Sequence, residues 1–369
     1  MTPTELVRLR RRLARVDQEL LRQLRHRLRL ADSIGQLKRR ERLPLKDYPV
    51  EREVIERWRR GLSSSGVSSE RAERFAAWVI EESLRVQEAG RELAGPSPTA
   101  TDILVVGGAG GMGGWMREYL RSLGHRVGIV DPRAKRGQFP GIRVYPGLLQ
   151  GLQDASIVVV ATPMGVAPSV YRAAIRSGLP FLLVDILSIK APLIREIQEA
   201  RARGIPVTSL HPLFGPGART LSGRYLLSVD CGDPAANRKV GRLFAGSPLT
   251  LRCVPLARHD ALMADLLGLP HLISLLFTLT LSRSAARHPE RAGGRTTSFG
   301  RQAEVAALVT AENPALAAGI QRLNEETGRL LQRMERSLSS IRRAWAAPTS
   351  ARYERLLLQA RDQWKESSR

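Results

Sequence analysis

Ile103-Leu104-Val105-Val106-Gly107-Gly108-Ala109-Gly110-Gly111-Met112-Gly113 runs an apolar strand straight into a glycine loop. An amphipathic stretch, Trp115 to Leu123, follows, and then a second strand, Val127 to Val130, that ends in Asp131. The order strand, glycine loop, helix, strand is that of a dinucleotide-binding unit. Gly108, Gly110 and Gly113 hold the G-x-G-x-x-G spacing. The first is expected to make the tight turn, the second to let a pyrophosphate approach the backbone, and the third to let helix and strand pack closely. Gly111 and Met112 complete the loop that opens the helix, whose N-terminus attracts the pyrophosphate. Asp131 closes the second strand where a ribose 2′-hydroxyl needs an acceptor, and its charge favours NAD over NADP. Arg133, Lys135 and Arg136 follow closely and leave NADP open, or form a solvated basic loop.

At 369 residues the chain is long enough for two or three domains, each with its own core. Gly90 to Thr101, containing Gly95-Pro96-Ser97-Pro98-Thr99, separates a segment without strand signals from a strand-rich remainder. The expected organisation is a helical domain over 1–90, a linker over 91–101, a dinucleotide-binding domain over 102–255 and a helical domain over 256–369. A net charge of +23 invites a nucleic-acid partner. The arginines are spread along the chain, however, aromatics make up only 5%, and no nucleic-acid module is recognisable, so no dedicated nucleic-acid partner is expected. The apolar run Leu269 to Leu281 is too short for a bilayer, and the N-terminus alternates leucine with arginine, so no membrane association and a cytoplasmic location are expected. Cys231 and Cys253 lack metal-type spacing and read as reduced thiols; no metal is expected.

Upstream of the linker, Leu6, Leu9, Leu13, Val16, Leu20, Leu24, Leu28, Ala31, Ile34 and Leu37 recur every three or four residues and predict one helix from about Thr4 to Glu41. Such a helix is roughly 55 Å long, more than a ninety-residue domain covers by itself, and it calls for a second subunit. Two further helices are expected, about Val50 to Arg60 and Ser68 to Ala89. Arg27 and Lys38 are eleven residues apart, three turns, and share a face; Arg10 lies off it and is placed to serve a partner subunit. Ser83 and Gln87 are one turn apart on the last helix. Taken singly, each cation also reads as part of a solvated face.

Residues 1 to 90 resemble the all-helical chorismate mutase family. The likeness rests on Leu6-x-x-Leu9-Arg10, Val16-Asp17, Leu20-Leu21, Arg27, Gly35-x-x-Lys38, Leu43-Pro44, Arg52-Glu53 and Glu82-Ser83-x-x-x-Gln87, in that order. It implies that Arg27, with Arg10 from the partner chain, binds the two carboxylates of chorismate. By the same likeness Lys38 and Gln87 hydrogen-bond the ether oxygen, Glu53 and the Arg52 region hold the ring hydroxyl, and Ser83 lies near a carboxylate. A Claisen rearrangement needs only a compact conformer and stabilisation of charge developing on the ether oxygen, which suits these groups. Lys46-Asp47-Tyr48-Pro49-Val50-Glu51 puts two more residues between Asp47 and Arg52 than the family pattern, which leaves Asp47 without an assigned role.

Residues 102 to 369 are similar to the prephenate dehydrogenase family. The motifs are Asp154-Ala155-Ser156 before a strand ending Ala161-Thr162-Pro163, then Val184-Asp185-Ile186-Leu187-Ser188-Ile189-Lys190, and His211-Pro212-Leu213-Phe214-Gly215-Pro216. Ser156 to Ala161 and Phe181 to Ile186 are continuous apolar runs, as parallel strands buried on both faces should be. Thr162, Ser188 and His211 then stand at carboxyl ends of strands, where open α/β sheets bind ligands. On its own a histidine before proline is also an ordinary turn residue. The resemblance makes it the group that takes the proton of the prephenate ring hydroxyl while hydride passes to the nicotinamide, with Ser188 orienting the histidine or the hydroxyl and Thr162 near the cofactor. His259-Asp260 and Leu269-Pro270-His271 match the helical domain that follows, where His271 is expected to touch substrate. Near Ala311-Glu312-Asn313-Pro314 the family carries a carboxylate-binding arginine, where this chain has Leu308; Arg301 or Arg295 is expected to replace it.

Together the likenesses imply an enzyme of the bifunctional T-protein type, an all-α chorismate mutase module fused to an α/β Rossmann domain and an all-α dimerisation domain. It would act as a homodimer on chorismate and prephenate with NAD. Oxidation of arogenate or 4-amino-4-deoxyprephenate, and a non-catalytic ligand sensor, are the alternatives.

Overall fold

The computed structural model describes residues 3–41, 43, 47–88, 101–218, 220–221, 223–245, 247, 249–283 and 296–367. Pro44, Lys46, Arg295 and all of the expected linker except Thr101 lie outside them. The chain forms two compact units, Met1–Ser188 with Pro192–Leu256, and Ile189–Ala191 with Ala257–Arg369.

The first unit opens with three helices, α1 (Pro3–Arg40), α2 (Tyr48–Ser63) and α3 (Ser69–Glu88). Asp47 caps α2 by accepting the Val50 N–H at 3.3 Å, and Pro49 fits the first turn, where no amide donor is needed. Ile55 packs with Ala76, Ile80 and Leu84 to form a small core between α2 and α3. The apolar stripe of α1 is covered only around Leu24, Leu28 and Ala31, and Ile34 and Leu37 beyond them are again exposed. Ala31 is buried, whereas Leu9, Leu13, Val16 and Leu20 are 45 to 63% exposed.

The rest of this unit is built on an eight-stranded sheet. Along the chain come β1 (Asp102–Val106), α4 (Gly111–Ser122), β2 (Arg126–Val130), β3 (Arg143–Val144), α5 (Leu148–Gln153), β4 (Ile157–Val160), α6 (Ala167–Ser177) and β5 (Leu182–Asp185). Next come α7 (Ile194–Ala202), β6 (Val207–Pro212), β7 (Tyr225–Asp230), α8 (Pro234–Arg242) and β8 (Thr250–Pro255). The strand order is β3-β2-β1-β4-β5-β6-β7-β8. All neighbours are parallel except β6 and β7. Every residue of β4, β5 and β6 is buried, which is why β4 and the Leu-Leu-Val start of β5 are apolar without alternation, while β6 buries polar Thr208, Ser209 and His211. The order reverses between β1 and β4, and the crevice at that switch point is where a doubly wound sheet takes a ligand.

The second unit is helical: α9 (Leu256–Met263), a π-helical turn (Ala264–Gly268), α10 (Leu269–Ser282), α11 (Thr297–Thr310), α12 (Pro314–Leu323), α13 (Thr327–Trp345) and α14 (Ala351–Ser367). Here one expectation needs correcting. The apolar run that looked too short for a bilayer is continued by α9 and the π turn into a 27-residue helix, Leu256–Ser282, long and apolar enough to cross one. The length argument against a span therefore does not hold. The same helix is tied to its neighbours by polar contacts: Gln321 donates to the Gly268 carbonyl at 3.1 Å, Asn324 to the Asp260 carbonyl at 2.8 Å, and Arg333 pairs with Asp265 at 2.5 Å.

Candidate active sites

The first site forms where α1 crosses α3. Gly35 makes the approach possible: a Cβ there would lie 2.9 Å from the Gln87 Cα. Three turns span Arg27 to Lys38, and the α3 residues opposite them are Ser83 and Gln87, both buried. Arg27 donates to the Ser83 hydroxyl and, at 3.2 Å, to the Val79 carbonyl; Ser83 in turn donates to Val79 O at 2.8 Å. A pair read from opposite ends of the module is thus in direct contact. Burial pushes the pKa of Arg27 and Lys38 down, and Asp47 partly offsets the effect at Lys38. Asp47, which had no role, therefore has two: it caps α2 and supplies a negative charge that acts on Lys38.

Three residues expected here do not join the cluster within one chain. Arg10 is exposed on α1. Arg52 and Glu53 are exposed on α2, and Arg52 donates at 3.4 Å to the Ala245 carbonyl of the α/β domain. The reason is the orientation of α2, which buries Tyr48, Glu51 and Ile55 and so turns positions 52 and 53 outward.

The second site starts at the glycine loop, whose turn falls one residue earlier than its spacing suggests. Gly107 has φ +87°, and a Cβ on it would lie 2.6 Å from the Ala161 carbonyl. Gly108 instead makes room for strand β2, since a Cβ there would sit 2.4 Å from Ile129 Cγ2. Gly113 has the packing role expected of it, because a Cβ would come 2.1 Å from the Gly107 carbonyl oxygen. Gly110 caps α4, so the N–H groups of Gly111, Met112 and Gly113 belong to a first helical turn that has no intrahelical acceptors for them. Arg117 fixes the loop from behind by donating to the Gly108 carbonyl at 2.7 Å. This bare cradle on a helix N-terminus fits a dinucleotide pyrophosphate.

Asp131 is buried at the end of β2. It accepts the Ala109 N–H at 3.0 Å, the Arg133 N–H at 2.9 Å and the Arg133 guanidinium at 3.2 and 3.3 Å. Burial alone would raise its pKa, but the Arg133 side chain and the two backbone donors outweigh it and hold the carboxyl below its ordinary value. The carboxylate is therefore ionised at neutral pH. Lys135 and Arg136 are not among its partners.

Strand ends supply the remaining groups. Thr162 follows β4, its hydroxyl buried without a hydrogen-bond partner among the described residues. Ser188 follows β5 and is half-buried. Asp185, the last residue of β5, sets the turn to it, accepting the Leu187 N–H at 3.0 Å and the Tyr171 hydroxyl at 3.2 Å. Tyr171 is fully buried, and its pKa is well above the ordinary value because of burial and the adjacent carboxyl. His211 is buried on β6, opposite Leu227 of β7.

In the second unit, Asp260 accepts the Lys190 N–H at 2.9 Å and the Ala191 N–H at 2.7 Å, and pairs with His259 at 2.7 Å. Burial works against its charge, but these partners hold its pKa below the ordinary value. His271 is buried on α10 with Nε2 3.6 Å from a Glu312 carboxylate oxygen. Arg301 and Leu308 are both exposed on α11. Gly107, Arg117 and the buried Glu51 were missed in the sequence. Only Gly107 had a signal, as the first of a glycine-rich run.

Residues 9–88 match the family model of chorismate mutase type II. Over 331 residues, 89% of this chain and 85% of the relative, the sequence is 25% identical to the T-protein of Enterobacter agglomerans. It is also 25% identical over 237 residues to a probable arogenate/prephenate dehydrogenase of Methanocaldococcus jannaschii, covering 61% of this chain but only 52% of that protein. Among solved structures, prephenate dehydrogenase from A. aeolicus, in complex with hydroxyphenyl propionate and NAD+, aligns with a TM-score of 0.57. That alignment covers 72% of this chain and 99% of the other at 16% identity, and shows a shared fold. Arogenate dehydrogenase from Synechocystis aligns similarly, with a TM-score of 0.56 at 18% identity over 72% of this chain and 99% of that one.

Proposed function

We propose that this chain is a bifunctional enzyme of tyrosine biosynthesis: it rearranges chorismate to prephenate and then carries out the NAD-dependent oxidative decarboxylation of prephenate to 4-hydroxyphenylpyruvate. The observation that carries this reading is the Arg27, Lys38, Ser83 and Gln87 cluster on the same chain as the glycine cradle. The cluster offers cations and hydrogen-bond donors, which is what a unimolecular rearrangement asks for. Arg27 holds a carboxylate, and Lys38 and Gln87 meet the charge that grows on the ether oxygen. Arg10, exposed on α1, completes the site from a second copy. The uncovered stripe of Leu9, Leu13, Val16 and Leu20 supports that homodimer.

In the α/β domain Gly108, Gly110, Gly111, Met112 and Gly113 hold the pyrophosphate, Asp131 the ribose, and Thr162 lines the cofactor side. NAD, when bound, supplies the hydride acceptor. His211 takes the ring-hydroxyl proton, Ser188 orients it, and loss of carbon dioxide aromatises the ring. His271 and Arg301, in the second unit, are proposed substrate contacts. The domain limits 1–90, 102–255 and 256–369 serve as the working division, and Cys231 and Cys253, which form no disulfide among the described residues, support a cytoplasmic location.

Formation of NADH on adding chorismate and NAD to the purified chain, with no other enzyme, tests the reading because it requires both sites. NADH from supplied prephenate but not from chorismate removes the mutase half, and faster turnover of arogenate than prephenate reassigns the substrate.

A further inference from the structure

The loop that leads from the His211 strand into β7 is held from outside the α/β sheet. The Leu221 N–H donates to Oε1 of Glu51 at 3.1 Å, and Glu51, on α2, is only 6% exposed. A carboxylate is costly to bury unless it is hydrogen-bonded, so this contact is specified rather than incidental. One turn earlier on α2, the buried Tyr48 packs on Tyr119 with ring centroids 5.0 Å apart. Tyr119 stacks on Trp115 at 5.3 Å, and Trp115 meets Phe214 edge-on at 4.9 Å. Trp115 and Tyr119 belong to α4, the helix that begins at the glycine cradle, and Phe214 stands three residues after His211. From α3, Glu73 approaches the same loop, with Oε1 3.7 Å from where a Cβ on Gly223 would be. Two of the three N-terminal helices therefore contact the elements that frame the proposed dehydrogenase site.

We infer that Glu51 is a positioning residue of the dehydrogenase: from the mutase module it fixes Leu221, in the connection from the His211 strand to β7, so that the module is part of the frame of the second active site. The inference rests on the dehydrogenase reading above. Its chemistry is that of a charge-assisted hydrogen bond. The carboxylate holds one backbone donor in the loop, and the aromatic ladder fixes the distance between α2, α4 and Phe214.

The test uses the full chain with Glu51→Ala and Glu51→Gln, the latter keeping an acceptor oxygen without its charge. With prephenate and saturating NAD, Glu51→Ala raises KM for prephenate about tenfold, the scale of one hydrogen bond to a charged group, and changes kcat much less. Mutase turnover of chorismate stays within about twofold, and amide exchange across 213–225 accelerates. Glu51→Gln recovers most of both. Should Glu51→Ala not fold, Glu51→Asp, one methylene too short to reach the Leu221 N–H, gives the same expected pattern. Unchanged KM and unchanged exchange in the folded variant overturn the inference. So does loss of mutase activity with the dehydrogenase intact, which places the carboxylate in the chorismate site instead. A wild-type chain that leaves prephenate unoxidised defeats the dehydrogenase reading itself, and amide exchange still reports whether Glu51 holds the loop.

Discussion

On the proposed roles, the polar groups of the helical site come from facing sides of two crossing helices and act as charges and donors, whereas those of the α/β domain come from the ends of buried strands and include His211, which would take up a proton. Arg27 is held by Ser83 and Val79, and Gly35 lets α1 come close to Gln87. His211, by contrast, is set on β6, two strands from β4 and the switch point, with Ser188 positioned through the Asp185 turn. The difference teaches that one chain can hold two catalytic strategies whose responses to pH and to substitution should be separable.

The largest expected effect breaks one half and spares the other. His211→Asn keeps a polar group but removes the proton acceptor, and should lower dehydrogenase kcat on prephenate by about 10² to 10⁴ while mutase turnover stays at the wild-type level. Wild-type dehydrogenase turnover in the folded variant would move the base to another residue, Ser188-bound water or His271 first.

The mirror experiment is Lys38→Ala. It removes a donor that strengthens in the transition state and should cost the mutase about 10² or more, with oxidation of supplied prephenate retained. If chorismate turnover survives, Lys38 is not the group on the ether oxygen.

The pH profiles sharpen the contrast. Lys38 acts as a cation, and burial lowers its pKa despite Asp47, so mutase activity is present below that pKa and falls as pH rises through it. The fall should begin below the ~10.4 of an unperturbed lysine. Dehydrogenase activity should be lost in the other direction, as acid protonates the His211 imidazole. Two profiles with the same limb would contradict the division into fixed-charge and titrating sites.

The smallest effect lies at the cofactor. Asp131→Ser removes the carboxylate that repels a 2′-phosphate and frees the Arg133 guanidinium now bonded to it. The preference for NAD over NADP in kcat/KM should narrow by roughly five- to tenfold, the scale of one screened charge interaction near a protein surface. A wild-type preference for NADP would show that Arg133 already outweighs Asp131.

Much of this was legible in the residues. The glycine loop, the apolar runs of β4 and β5 and the eleven-residue step from Arg27 to Lys38 are local patterns, and local patterns obey the periods of helix and strand. Gly113 and Asp131 could be placed because each does its work within a strand-loop-helix unit whose geometry is fixed.

The orientation of α2 had no such signal. Arg52 and Glu53 read as site residues by motif, yet α2 turns Tyr48 and Glu51 inward and those two outward, because Tyr119 and the Leu221 N–H both engage that helix face. Gly107, not Gly108, takes the positive φ because the Ala161 carbonyl of a neighbouring strand closes on it. The 27-residue Leu256–Ser282 helix exists because a π turn bridges two segments that look separate. The sequence by itself determined which segments are helix and strand, where a dinucleotide fits and which cations share a face, since those follow from spacing along one chain. Tertiary structure alone decided which face of α2 is buried and what grips the loop after His211, since contacts between residues 170 positions apart, like that of Glu51 with Leu221, leave no period in the sequence.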